Sequence, residues 1–213
     1  MNTARLTLST SDGLSIEAAL DAPPRSKAGI VLCHPHPQMG GTMNAPLLVA
    51  LRDELVAREW TVLRFNYRGI GESEGEASLG VEEVDEATAA VEFLRARSPR
   101  PAAIAGWSFG GAVAVRAAAE DDSLVGCVGI APSVEPKPDV SAGLPPPDDL
   151  DLGVPLLFVC GHNDDVVSPA ACREWTSAFA HGDYVEVPAA NHFFWGKYER
   201  LTAIVSDWLD ARL

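Results

Sequence analysis

Short apolar runs without alternation, each followed by a longer stretch of helical periodicity, set the narrowest limit on how this chain can fold. Gly29–Cys33 precedes Ala45–Arg58, Thr61–Asn66 precedes Val81–Arg97, and Ala102–Ala105 precedes Phe109–Ala119. Val125–Ala131 continues the series, then Leu156–Cys160 before a helix over Ala170–Ala180, and Tyr184–Val187 before a last helix ending near Leu213. A strand with one wet face alternates apolar and polar residues, whereas a strand covered on both faces reads as an unbroken apolar run. The pattern predicts a mostly parallel sheet sandwiched between helices. Ahead of it, Arg5–Ser9 and Leu14–Leu20 alternate and are joined through Ser11-Asp12-Gly13, where Asp-Gly favours positive φ; these predict an antiparallel hairpin.

With 213 residues, 47% of them hydrophobic, the chain can bury one full core and is read as a single domain over 1–213. Sixteen Lys and Arg against 30 Asp and Glu give a net charge of −14, a field that repels polyphosphate and anionic lipid, so no nucleic-acid partner is expected. Cys33, Cys127, Cys160 and Cys172 form no CxxC pair and predict buried free thiols. Met1–Thr10 lacks the basic head and apolar stretch of a leader, and the uncharged run Pro101–Val115 is too short to span a bilayer and is broken by Gly106, Gly110 and Gly111. A cytoplasmic protein without integral membrane association is expected. The one compositional break is Pro132–Gly153, with six prolines and five acids against Lys137. That proline density forbids a regular helix and predicts a surface excursion. It leaves the carboxyl end of a strand, where open α/β sheets place their ligands.

Gly106-Trp107-Ser108-Phe109-Gly110 lies between a predicted strand and a helix of small residues. A serine on a tight strand-to-helix turn, with small residues two positions to either side, has the form of a nucleophile elbow. Ser108 is the candidate nucleophile, and the helix start supplies free N–H groups where an oxyanion would form, with Phe109 the first donor. A serine hydroxyl needs a base. Of His34, His36, His162, His181 and His192, only His192 follows both a late strand and a candidate acid, as the Ser-acid-His order requires. The acid belongs in Gly161-His162-Asn163-Asp164-Asp165 after Leu156–Cys160; Asp164 is preferred, with Asp165 the alternative. The second oxyanion donor belongs after Gly29–Cys33. Pro35 and Pro37 have no N–H, which leaves His36, preferred, or Gln38. Trp107, Gln38, Phe193 and Phe194 are candidates to line a substrate pocket, although the run Phe193-Phe194-Trp195 beside His192 reads more readily as core than as ligand-contacting. His34 and His36 lack a carboxylate or cysteine at ligand spacing, so no metal is expected. Arg68–Gly75 has its third glycine one residue late for a dinucleotide fingerprint; a tight turn with Arg68 on a carboxylate is expected, and no cofactor.

Three blocks, His34-Pro35-His36-Pro37 with Gly40-Gly41-Thr42-Met43-Asn44, then Arg64–Gly75, then Gly106–Gly111, resemble the α/β-hydrolase superfamily, and within it small bacterial serine hydrolases without a cap domain. The resemblance runs from about Ile30 onward. It implies a three-layer α/β/α sandwich with a mostly parallel sheet of about eight strands, and the proline-rich 132–153 in place of a helical lid. It also implies Ser108, Asp164 and His192 as nucleophile, acid and base, with the N–H groups of Phe109 and His36 as the oxyanion hole. The expected activity is that of a carboxylesterase on small or medium acyl esters, with a small-molecule acyl substrate and homo-oligomerisation left open. A thioesterase, amidase or peptidase using the same residues is the alternative, and a non-catalytic binding member of the fold is the alternative of another class.

Overall fold

The computed structural model describes residues 3–97 and 100–213, so the first two residues of the Met1–Thr10 segment lie outside it. In chain order the strands are β1 (Thr3–Ser9), β2 (Ser15–Asp21), β3 (Ala28–Cys33), β4 (Trp60–Phe65), β5 (Ala102–Trp107), β6 (Cys127–Ile130), β7 (Leu156–Gly161) and β8 (Gly182–Val187). The helices are α1 (Pro46–Ala57), α2 (Val84–Arg97), α3 (Phe109–Ala118), α4 (Pro169–Ser177) and α5 (Tyr198–Asp210). All eight strands form one sheet in the order β1-β2-β4-β3-β5-β6-β7-β8. β1 and β2 pair antiparallel, β2 pairs antiparallel with β4, and every later pair is parallel.

Alternate residues of the central strands enter opposite layers. Val31, Leu63, Ile104, Leu156 and Phe158 pack with α2, α3 and α4, whereas Ile30, Val62, Ala103, Leu157 and Val159 pack with α1 and α5. Each strand therefore buries both faces, which is why its sequence does not alternate. Trp60, fully buried at the start of β4, ties the sheet to the far end of α5 by donating its indole N–H to Asp210 at 2.8 Å.

Local chemistry sets the helix ends. Pro46 and Pro169 open α1 and α4, where a missing N–H costs nothing, and the Ser168 hydroxyl caps α4 by accepting from the Ala171 N–H. α2 starts at Val84, three residues after the expected Val81, because the buried Glu83 carboxylate folds the preceding loop around itself. It accepts from the N–H groups of Ser78 at 2.6 Å and Gly80 at 2.9 Å. Arg68 pairs with Glu86 at 2.5 Å, Glu82 at 3.1 Å and Asp12 at 3.2 Å, the structural role expected of it.

Residues 132–153 leave the carboxyl end of β6 with one isolated bridge, Lys137 to Ser141, and one short 3-10 turn, Pro147–Asp149. Side chains from neighbouring elements hold their carbonyls. Arg116 donates to the carbonyl of Gly143, Trp175 to that of Pro145 and His36 to that of Val140, while from within the excursion Lys137 donates outward to Val166 O. The excursion is thereby fastened between the loops after β3 and β7.

Candidate active site

Ser108 ends the turn from β5 into α3 with φ 56° and ψ −118°, a conformation that L-residues rarely adopt. The turn is crowded enough to require glycine on both sides. A Cβ on Gly106 would lie 2.0 Å from the Gly110 carbonyl oxygen, and one on Gly110 would lie 2.3 Å from that of His34. Hydrogen bonds hold the strained residue, with its N–H donating to Ile130 O at 2.8 Å and its carbonyl accepting from Ser133 N–H at 3.1 Å.

His192 brings Nε2 to 3.0 Å from Ser108 Oγ, and its Nδ1 lies 2.9 Å from Asp164 Oδ2. The other oxygen of Asp164 accepts the N–H groups of Val166 and Val167, both at 2.9 Å. A carboxylate that only accepts fixes the proton on His192 Nδ1 and leaves Nε2 free to accept the serine O–H. Asp165, the alternative acid, is exposed. His162 pairs with Glu186 at 2.5 Å, and His181 is exposed.

The loop that presents His192 is stitched to the loop that presents Asp164. Asn163 N–H donates to Ala190 O at 2.8 Å, and a Cβ on Gly161 would lie 2.5 Å from that same oxygen. Ala189 at φ 55° and Phe194 at φ 52° bracket the histidine in left-handed backbone, and the Trp107 indole N–H donates to His192 O at 3.2 Å. Gly161 was not among the residues singled out in the sequence; the glycine directly after an apolar strand was the available signal.

Phe109 is the first residue of α3, and neither its N–H nor that of His36 meets a protein acceptor among the described residues. Both are free to bind an oxyanion. The His36 carbonyl accepts from Met39 and Gly41 N–H, which curls the loop back, and its ring packs on Phe109 at 5.1 Å. Gln38, the alternative donor and a pocket candidate, is exposed in the 3-10 turn Pro37–Met39. His34 is fully buried. Its Nδ1 donates to Pro35 O at 2.6 Å, its Nε2 accepts the Tyr67 N–H at 3.0 Å, and burial pushes its pKa down to about 4. It is thus a neutral structural imidazole that joins the loop after β3 to the loop after β4.

The pocket candidates divide. Trp107 is buried, with Phe193 edge-on to it at 6.0 Å and to His192 at 5.5 Å. Phe194, named as a pocket candidate, is instead fully buried in the layer of α1 and α5, the core role that the run Phe193-Phe194-Trp195 favours, and its backbone is left-handed at φ 52°. A cavity of about 720 Å³ lies at the opposite end of the sheet, lined by Ala28, Gly29, Thr61 and Ala102 at the amino ends of the strands. It is remote from Ser108, whereas ligands of open α/β sheets bind at the carboxyl ends. No helix among the described residues is long and apolar enough to cross a membrane.

Residues 30–156 match the model of the alpha/beta hydrolase family. An uncharacterized protein of Rickettsia prowazekii (strain Madrid E) is 31% identical over 196 residues, covering 87% of this chain and 79% of that protein. Among solved structures, an α/β serine hydrolase without lid from Xanthomonas campestris is 28% identical with a TM-score of 0.84, covering 100% of this chain and 96% of the other. A Pyrococcus furiosus esterase, at 17% identity, has a TM-score of 0.83 over 99% of this chain and 92% of its own, a likeness of fold alone.

Proposed function

The chain belongs to the alpha/beta hydrolase family, and from that premise we propose that it is a serine hydrolase that cleaves carboxylic esters of small or medium acyl groups through an acyl-enzyme. The observation that carries this reading is the unbroken line from Asp164 through His192 to Ser108, at 2.9 and 3.0 Å, with the Phe109 N–H next in the chain and, like that of His36, without a protein acceptor among the described residues. A lidless serine hydrolase among the similar structures, 28% identical, lends it support.

Ser108 Oγ attacks the ester carbonyl as His192 Nε2 takes its proton, and the carbonyl π electrons move onto oxygen, facing the Phe109 and His36 N–H groups. Collapse breaks the bond to the leaving oxygen, which receives the proton from Nε2. Water then attacks the acyl-serine with the same proton path, releasing the acid and restoring Ser108. Asp164 keeps the imidazole in the required tautomer and stabilises the imidazolium without itself becoming protonated.

Ester, thioester and anilide substrates sharing one acyl group test the reading on the wild type and on Ser108→Ala. The ester is expected to give the highest kcat/KM, and Ser108→Ala to lose roughly 10⁴–10⁶ in kcat. A higher kcat/KM on the thioester or anilide would move the assignment to that substrate class. Undiminished turnover by Ser108→Ala would refute the reading.

A further inference from the structure

Four of the exposed large apolar side chains lie on the loops that carry the candidate site residues. Met39, Val166, Phe193 and Trp195 stand on the three loops that carry His36, Asp164 and His192. Two of them are arranged as a unit. Phe193, 39% exposed, and Trp195, 67% exposed, stack with ring centroids 4.9 Å apart and planes 15° from parallel. Phe193 in turn meets the His192 imidazole edge-on at 5.5 Å, so an aromatic wall runs outward from the candidate base.

The wall is held in place. Phe193 N–H donates to Asn191 Oδ1 at 3.2 Å, Phe194 is buried beneath it with its N–H on Asn191 O at 3.1 Å, and Lys197 N–H donates to Phe194 O at 2.9 Å just before α5. Trp195, two-thirds exposed, gains little for folding from its ring. Such rings next to reactive groups are suited to receive a flat apolar ligand.

We propose that Phe193 and Trp195 form the leaving-group subsite and select esters whose alcohol portion is aromatic. This rests on the serine-hydrolase reading and assigns a direction to it. In the tetrahedral intermediate the oxyanion faces the Phe109 and His36 N–H groups, and the leaving oxygen must lie within reach of His192 Nε2 to take its proton. The substituent on that oxygen then extends over the imidazole and along the ring beside it, which is Phe193, and next Trp195. The acyl chain departs in the remaining direction, away from the imidazole.

Benzyl, cyclohexylmethyl and ethyl acetate share an acyl group and release primary alcohols, so their kcat/KM values compare the alcohol portion alone. The wild type is expected to favour benzyl over cyclohexylmethyl acetate. Trp195→Ala should lower kcat/KM for benzyl acetate by about 3- to 10-fold while leaving ethyl acetate within twofold, and Trp195→Phe should retain most of the preference. Trp195 is exposed and outside the catalytic machinery, so the variant is expected to fold. An equal loss on all three acetates, no loss on any, or a loss confined to a series of ethyl esters with varied acyl groups would overturn the assignment. Labelling of Ser108 by a fluorophosphonate, read in parallel, separates the two levels. A labelled serine with unaltered selectivity removes the subsite alone, whereas an unlabelled serine removes the serine-hydrolase reading and the subsite with it.

Discussion

Asp164 and Asp165 are adjacent acids in one loop, and backbone geometry gives them different environments. Asp164 is turned inward, with one oxygen on His192 Nδ1 and the other on two N–H groups, while Asp165 stands in solvent. Asp164→Asn is expected to lower kcat by roughly 10⁴, as the wrong tautomer of His192 is favoured, with little change in KM, and Asp165→Asn to change neither by more than about twofold. Steady-state kinetics of both variants check this, and the reverse pattern would reassign the acid. Ser108 and the N–H of Phe109 were legible in the sequence because an elbow fixes its neighbours by steric need, down to the glycines on either side, and His192 because only it follows both a late strand and a candidate acid. The choice between the two aspartates rested on position alone, and Phe-Phe-Trp read as core without showing which ring would be buried: Phe194 is, while Phe193 and Trp195 are exposed.

At the scale of elements, the join between the antiparallel entry and the parallel sheet depends on one buried ion cluster. Asp21 at the end of β2 is fully buried between Arg64 of β4 at 3.0 Å and Arg52 of α1 at 3.4 Å, and Arg64 also donates to Met43 O at 2.8 Å. Asp21→Ala leaves the Arg64 guanidinium buried without its counter-charge and is expected to destabilise the fold by about 3–5 kcal/mol. Urea unfolding measures it, and a loss under about 1 kcal/mol would contradict the role given to the cluster. The strands were legible as apolar runs because both their faces are covered. β8 was shortened to Tyr184–Val187 because an edge strand keeps a half-wet pattern, and the placement of β4 between β2 and β3 left no mark in local sequence. The start of α2 was misjudged because Glu83 spends its carboxylate on three donors of the loop before the helix.

Taken whole, the molecule is a sheet between two apolar layers with a few charges enclosed, and those charges tie stability to pH. Burial raises the Glu86 pKa to about 7 against the opposing pull of Arg68, and Glu86 Oε2 has no partner among the described residues. The folded chain therefore holds this proton more tightly than the unfolded chain does. Its stabilisation is full below the ordinary carboxylate range and is lost as pH rises through about 7. Between pH 5 and 8 the wild type should lose on the order of 2 kcal/mol that Glu86→Gln does not lose. The difference between the two profiles removes the general repulsion of a chain with net charge −14, and parallel profiles would contradict the shift. The central claim, that Ser108 is an activated nucleophile, is tested most directly by intact mass after fluorophosphonate treatment of the wild type and Ser108→Ala. One adduct per chain, absent from the variant, is the expected result; a folded wild type that takes no adduct, or a variant that still takes one, would contradict it.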